Sequence, residues 1–248
     1  TGVTFSDLDG DGDPDLALAL EWGPIKVFRN QRGHFEDVTT LWGFASHTGL
    51  WTSLTSGDFD GDGTVDLAAG NWGRNTDYEL FQPGKLGLFH GDWNADGTVQ
   101  MLEAWHNQGK WFPLRDRTRL ALGLPELLSR FATHEAFGSS TMAEILGTRL
   151  ASTQLREAVE LESVVFLNRG SKFERRPLPR EAQLSPVFSL NVGDFDGDGI
   201  EDLFLSQNNY GIASDLTRND SGRGLWLKGI GTGDFVAVEA AVTGIHLE

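Results

Sequence analysis

Aspartate residues are concentrated in a few short windows of this chain, and their spacing bears directly on metal-ion chemistry. Of 21 aspartates, 15 fall in four nine-residue windows. The windows share the frame D-x-[DN]-x-D-G-x-x-[DQ], with oxygen-bearing side chains at positions 1, 3, 5 and 9 and glycine at position 6. Like charges this close repel one another unless a cation neutralises them. The windows span residues 7–15, 58–66, 92–100 and 194–202.

The frame favours calcium as that cation. Calcium takes six to eight oxygen ligands, and oxygens at positions 1, 3 and 5 converge when the chain curls around one point. Glycine at position 6 permits the sharp turn. Position 7 can add a backbone carbonyl, and the position-9 carboxylate closes the shell. The alternative is a set of Asp-Gly turns whose carboxylates only cap backbone amides.

The windows are not EF-hands. An EF-hand needs a glutamate at position 12 between two helices. Position 12 is apolar in three windows, where it is Leu18, Ala69 and Leu205. In the 92–100 window Glu103 is a formal match, but the residues on both sides of that window read as strands.

Composition limits the class of protein. The chain has 248 residues, a formal net charge of -16 and no cysteine. The hydrophobic content of 39% supports a folded core. The negative charge argues against nucleic acid or an anionic membrane as a partner, and the sequence lacks the run of about 18 apolar residues that a membrane span needs. The missing cysteines exclude thiolate metal sites and disulfides.

A second motif recurs together with the acidic frame. The pattern V-F-x-N followed by phenylalanine spans residues 27–35 and 165–173, and a looser copy spans 225–235. The first two acidic windows begin 51 residues apart. A repeat of about 50 residues with four short strands predicts a β-propeller blade. Because Asp92 follows Asp58 by only 34 residues, its window is interpreted as a turn between the third and fourth strands of the same blade.

These motifs resemble FG-GAP/VCBS repeats, which form the calcium-bearing propeller of integrin alpha-subunit heads and of many exported bacterial proteins. The bacterial proteins resembling cartilage acidic protein look closest, since residues 70–75 and 109–113 are similar to stretches of that subgroup. The resemblance implies an all-β fold, a β-propeller of about four blades in a partial or unusual ring. It covers most of the chain, so residues 1–248 are expected to form a single propeller region.

The resemblance also implies calcium as the cofactor and a set of ligands for it. Asp13, Thr64 and Ile200 would contribute backbone carbonyls, and the other residues would contribute side chains. The 92–100 window departs from the family pattern at Asn94, Ala95 and Gln100. The implied ligands are Asp7, Asp9, Asp11, Asp13 and Asp15; Asp58, Asp60, Asp62, Thr64 and Asp66; Asp92, Asn94 and Asp96; and Asp194, Asp196, Asp198, Ile200 and Asp202.

Residues 114–162 break the β pattern and predict two or three helices inserted in the propeller region. Pro125 suits a helix opening, and Thr141 with Glu144 forms a capping-box frame. Leu150, Leu155 and Val159 are expected to continue a helical apolar stripe. The insertion would either cover a sheet edge or act as a lid for a partner or ligand.

The sequence favours a non-catalytic, calcium-binding module for extracellular binding or adhesion, secreted, periplasmic or on the surface of a bacterial cell. The expected partner is a protein or a glycan, without membrane insertion, and open sheet edges would allow self-association. No catalytic residue is assigned. The alternative is a calcium-dependent polysaccharide lyase or other carbohydrate-active enzyme, for which a pocket gathering Tyr78, Tyr210, Arg74 or His106 would be the sign.

Overall fold

The computed structural model describes residues 2–81, 84–170, 172–211 and 217–245 and consists mostly of short strands. Five short α-helices accompany them among the described residues: α1 (Arg117–Leu120), α2 (Leu127–Arg130), α3 (His134–Gly138), α4 (Met142–Leu146) and α5 (Ala240–Thr243). The strands are β1 (Val3–Ser6), β2 (Asp15–Leu18), β3 (Glu21–Gly23), β4 (Lys26–Gln31), β5 (His34–Asp37), β6 (Gly49–Leu50), β7 (Ser53–Gly57), β8 (Asp66–Gly70), β9 (Leu86–Gly91), β10 (Gln100–Asn107), β11 (Lys110–Pro113), β12 (Gln154–Ala158), β13 (Val164–Asn168), β14 (Phe173–Pro177), β15 (Val187–Gly193), β16 (Asp202–Gln207), β17 (Leu225–Gly229) and β18 (Phe235–Val238).

These strands form four-stranded antiparallel sheets. Sheet 1 has the order β1-β2-β4-β5, sheet 2 β7-β8-β13-β14, sheet 3 β15-β16-β17-β18, and sheet 4 β11-β10-β9-β12. A two-stranded sheet pairs β3 with β6. The all-β prediction is confirmed. The chain divides into two compact units, Thr1–Glu79 with Glu160–Glu248, and Leu80–Val159. Sheets 1, 2 and 3 belong to the first unit and sheet 4 to the second.

The three sheets of the first unit pack face to face in numerical order. One core joins sheet 1 to sheet 2 and includes Val27, Leu67 and Phe166. A second core joins sheet 2 to sheet 3 and includes Val165 and Leu203. Sheet 2 therefore has both faces buried. Its central strands β8 and β13 are buried at every position, which explains their nearly continuous apolar sequences.

Sheet 2 is interrupted in sequence, which overturns one prediction. Its second strand ends at Gly70, and its third strand begins at Val164. The 92–100 window therefore does not turn between the third and fourth strands of the blade that contains Asp58. It lies between β9 and β10 of sheet 4, in the second unit. Close spacing misled the prediction because strand pairing depends on which buried faces match, not on distance along the chain.

The second unit combines sheet 4 with short helices around a core that includes Phe89, Leu127 and Ile145. The capping box of Thr141 and Glu144 is present at the start of α4, as predicted. The expected helical stripe beyond it is wrong, because β12 occupies 154–158 and pairs with β9. The assignment of 114–162 as an insertion in one propeller region stays a prediction. No described helix is long and apolar enough to cross a membrane.

Candidate metal centres

Three of the acidic windows are loops at equivalent places in the first unit. Each connects the first and second strands of its sheet: loop 1 (7–15) in sheet 1, loop 2 (58–66) in sheet 2 and loop 3 (194–202) in sheet 3. Positions 4 and 6 have left-handed backbone, as at Gly61 (φ 75°) and Gly63 (φ 83°). Glycine adopts this conformation without the steric cost of a side chain, so the loop can close tightly.

The position-1 aspartate organises each loop by accepting backbone hydrogen bonds. In loop 2, Asp58 Oδ1 accepts from the amides of Gly61 (2.8 Å) and Asp62 (3.2 Å), and its Oδ2 accepts from Gly63 (3.0 Å). Asp7 and Asp194 accept the equivalent bonds in loops 1 and 3. This curling brings three of the carboxylates of each loop close together.

Carboxylate oxygens from three residues meet in each loop. Within a group, the oxygens lie within 4.8 Å of one another. Asp11, Asp66 and Asp198 lie outside these tight groups. The carbonyl ligands expected from Asp13, Thr64 and Ile200 stay a prediction; the amides of these residues donate to the position-5 carboxylates. The groups are Asp7, Asp9 and Asp15; Asp58, Asp60 and Asp62; and Asp194, Asp196 and Asp202.

The donor chemistry fits a hard divalent cation, and one atom tests the fit directly. Asp60 Oδ1 is buried and has no hydrogen-bond partner among the described residues. The Asp60 side chain is only 10% exposed. A buried, unpaired carboxylate oxygen is costly, and a cation held by the loop would satisfy it.

The position-9 aspartates are fully buried and connect the loop to the rest of the sheet. Asp66 Oδ2 accepts from the Phe59 amide (2.9 Å), and its Oδ1 accepts from the Asn168 amide on the third strand (2.7 Å). Asp15 and Asp202 are held in the same way. Burial raises the pKa of Asp66 to about 6. That shift corresponds to about 3 kcal/mol against the charged form, which a neighbouring cation would oppose.

Basic side chains stand beside two of the loops, a feature that sequence reasoning missed. Arg169 Nη1 lies 2.6 Å from Asp60 Oδ2 and 3.5 Å from Asp62 Oδ2 in loop 2. Lys228 pairs with Asp196 and lies 2.7 Å from Asp198 in loop 3, and these bonds raise its pKa. The described part of the chain places no ion pair of this kind on loop 1. Arg169 and Lys228 each partly neutralise the loop that they contact.

The 92–100 window folds into a similar turn without assembling the same acidic group. Asp92 accepts from the amides of Asp96 and Gly97, and the position-9 residue Gln100 accepts from the Trp93 amide. No third acidic side chain joins Asp92 and Asp96 within the residues that the structure describes. Asn94 directs its amide toward Gly123 O, at 3.5 Å. The turn is thus completed by an amide where the other loops use a carboxylate.

The described pockets of the first unit do not bring together its candidates for lyase chemistry, Arg74, Tyr78 and Tyr210. Arg74 lies in a 520 Å³ cavity of the first unit, where it pairs with Glu79 and Glu162. Tyr78 is buried with its ring against those of Trp22 and Trp72. Among the described residues, no tyrosine or histidine lines the cavity.

The other two candidates are His106 and Tyr210. His106 belongs to the second unit, where its ring packs on Trp111. Tyr210 is exposed, and its hydroxyl accepts from Asn208 Nδ2. Tyr210 does not line the described cavity that contains Arg74.

Comparison with known proteins agrees with the repeat assignment. No curated protein matches the chain. The chain matches the family of FG-GAP-like repeats over residues 7–69, which extend from the start of loop 1 to the second strand of sheet 2. FG-GAP repeats are β-propeller blades, and the three packed sheets of the first unit fit a partial propeller. Residues 7–69 are therefore similar to the FG-GAP-like repeat of propeller-type binding and adhesion modules.

Proposed function

We propose that this chain is a calcium-binding, non-catalytic module built from FG-GAP-type repeats. The observation that carries the proposal is the convergence of three aspartates in each of loops 1, 2 and 3, with the buried Asp60 Oδ1 unpaired among the described residues. Three acidic groups at equivalent places in the sheets of one compact unit favour a repeated structural role over a single reaction centre.

The ions would neutralise the loops and hold them rigid. The chain's own residues prepare for this: the position-1 aspartates shape the turns, and the position-9 aspartates tie the turns to the third strands. In loop 2, Asn168 donates hydrogen bonds to Asp66 Oδ1 and to Val65 O, so the loop is held by a strand that follows the interruption in sheet 2. Surface loops carried on a stiff scaffold are common contact sites for partners.

The proposed setting is outside the cytoplasm of a bacterial cell, in adhesion or in binding of a protein or glycan. Extracellular calcium modules work with dissociation constants near 10⁻⁴–10⁻³ M, a range suited to exposed loops such as these. We also propose that the chain resembles the bacterial proteins that are similar to cartilage acidic protein.

Calorimetry on metal-stripped protein tests the calcium proposal. We expect uptake of three ions per chain, falling to two in Asp60→Asn because loop 2 loses a buried ligand. Asp234→Asn is the matched control, since Asp234 pairs with Arg176 outside all loops. Absence of calcium uptake, or equal loss in the control, would contradict the proposal. A glycan array screened with and without calcium then tests the binding role, and calcium-dependent cleavage of an acidic polysaccharide would favour the lyase instead.

A further inference from the structure

Asn168 is hydrogen-bonded to two of the acidic loops at once. It is the last residue of β13 and is buried. Its Nδ2 donates to Leu8 O in loop 1 (2.7 Å) and to Val65 O in loop 2 (3.1 Å). Its backbone amide donates to Asp66 Oδ1, the position-9 carboxylate of loop 2 (2.7 Å). The two hydrogens of one side-chain amide thus serve two different loops.

The bond from Asn168 reaches loop 1 between two members of its acidic group. Asp7 precedes Leu8 and Asp9 follows it, and both carboxylates belong to the tight group with Asp15. The Leu8 amide donates to Asp15 Oδ2 (2.9 Å), so the amide and the carbonyl of Leu8 are both held. The bond from Asn168 therefore helps to fix the backbone that carries Asp7 and Asp9.

Glu201 links loop 3 to loop 2 in a different way. It occupies position 8 of loop 3, next to Asp202, and its Oε2 accepts from the amide of Asp58, the position-1 residue of loop 2 (2.6 Å). Gly57 makes room for this carboxylate, because a Cβ at that position would collide with Glu201 Oε2. Loop 2 is therefore hydrogen-bonded to residues that belong to, or also hold, both of the other loops.

Asn30 occupies the equivalent place in sheet 1 but does not bridge two loops. By strand register it corresponds to Asn168 of sheet 2. Its amide donates to Asp15 Oδ1 and its Nδ2 donates to Pro14 O, and both acceptors lie in loop 1. Among the described residues, Asn30 has no bond to a second acidic loop. The bridge is thus particular to Asn168, whereas the bonds to the residue's own loop are shared.

We propose that Asn168 and Glu201 are positioning residues that make calcium uptake by loops 1, 2 and 3 interdependent. When loop 2 is filled and ordered, Asn168 and Glu201 are held in place, and their bonds keep the neighbouring loops in the conformation that binds an ion. Part of the ordering entropy is then already lost before the next ion binds, which gives positive coupling without a change of fold. By linkage, filling loop 1 or loop 3 raises the affinity of loop 2 by the same factor. This inference rests on the proposed calcium binding and adds its regulation.

Repulsion between the bound ions acts in the opposite direction. Each ion places two positive charges near the neighbouring loop, which lowers the affinity there, and salt screens this effect. The bonds of Asn168 are shielded from salt, since Asn168, Leu8 and Asp66 are 3%, 2% and 0% exposed. Coupling through these bonds should therefore be positive and should increase with added salt, whereas coupling by charge alone would be negative and would fade.

Calcium titration followed by amide NMR resolves the three loops. The amide signals of Gly12, Gly63 and Gly199, at position 6 of loops 1, 2 and 3, report the occupancy of each loop separately. Disabling loop 2 with Asp60→Asn should weaken calcium binding at loops 1 and 3 by about five-fold or more, the lower end of typical coupling between sites. Disabling loop 1 with Asp9→Asn should weaken binding at loop 2 by the same factor as Asp60→Asn weakens loop 1.

Substitutions of the two bridging residues separate the links. Asn168→Ala should abolish the coupling of loops 1 and 2 and leave that of loops 2 and 3. Asn30→Ala is the matched control, because it removes a bond to its own loop but no bridge, so all loops should stay coupled. Glu201→Ala should uncouple loops 2 and 3, whereas Glu201→Gln, which loses the charge but keeps an acceptor oxygen for the Asp58 amide, should retain the coupling. Coupling is a ratio of affinities within one variant, so a general loss of stability does not imitate its loss.

Hydrogen exchange gives a readout that does not depend on affinity. In Asp9→Asn, whose loop 1 is disabled, calcium should still slow exchange of the Leu8 amide, and adding Asn168→Ala should remove that slowing. Independent affinities at the three loops would overturn the proposal, as would coupling that survives both Asn168→Ala and Glu201→Ala; either result leaves the calcium assignment intact. Absence of calcium uptake by the wild-type chain would overturn both.

Discussion

Arg169→Gln should tighten calcium binding at loop 2. Arg169 Nη1 lies 2.6 Å from Asp60 Oδ2, so its charge lies close to any cation that this carboxylate holds. With an ion about 2.4 Å from the unpaired Oδ1 of the same carboxylate, the two charges are roughly 5 Å apart. Coulomb repulsion between charges of one and two at that distance is roughly 1–2 kcal/mol in water with physiological salt, or about 5- to 30-fold in affinity.

The assay isolates loop 2 and compares matched variants. In a background carrying Asp9→Asn and Asp196→Asn, calcium titration reports mainly on loop 2. Arg176→Gln is the control, because Arg176 pairs with Glu174 and Asp234 rather than with a loop.

The Arg169→Gln substitution should change the free energy of unfolding of the metal-stripped protein only slightly. The Arg169 side chain is 36% exposed, and an ion pair with so much solvent around it contributes about 1 kcal/mol or less. The gain in affinity should shrink as salt is added. Unchanged or weaker calcium binding in Arg169→Gln would refute the electrostatic reasoning.

The remaining predictions concern stability. Excess chelator should lower the melting temperature, since each site saturated at a hundredfold excess over its Kd contributes about 2.7 kcal/mol; an unchanged melting curve contradicts this. In urea unfolding, Phe59→Ala should cost about 3–5 kcal/mol, whereas Phe195→Ala, at the same loop position but exposed, should cost less than about 1 in dilute monomer. Thr141→Ala should cost about 1 kcal/mol through the lost cap of α4, measured by thermal melting. The Lys26 ammonium, followed by the hydroxyl and amide of Thr39, lowers the pKa of Asp37 to about 2, so the stability from these bonds is present above about pH 4 and is lost as pH falls through about 2. Lys26→Met should weaken that pH dependence, and an identical acid-unfolding profile would contradict it.

Local patterns in the sequence were sufficient for features that depend on a few neighbouring residues. The acidic frame predicted the loop turns because the position-1 carboxylate and the glycines act within the loop itself, as Asp58 and Gly63 show. The capping box at Thr141 was predicted for the same reason. The buried strands next to the loops followed from their apolar runs.

Contacts between distant parts of the chain were decided only by the tertiary structure. The pairing of β8 with β13, which the second unit separates in sequence, could not be predicted from the sequence, because any buried apolar strand offers similar backbone hydrogen bonds. The pairing is selected by the two faces that sheets 1 and 3 cover. For that reason the sequence placed Asp92 in the wrong sheet. The approach of Arg169 and Lys228 to loops 2 and 3 was equally hidden, since each reaches its carboxylates from a strand or turn that only folding brings alongside. Sequence thus determined which loops are acidic and how they turn, whereas folding determined what surrounds them.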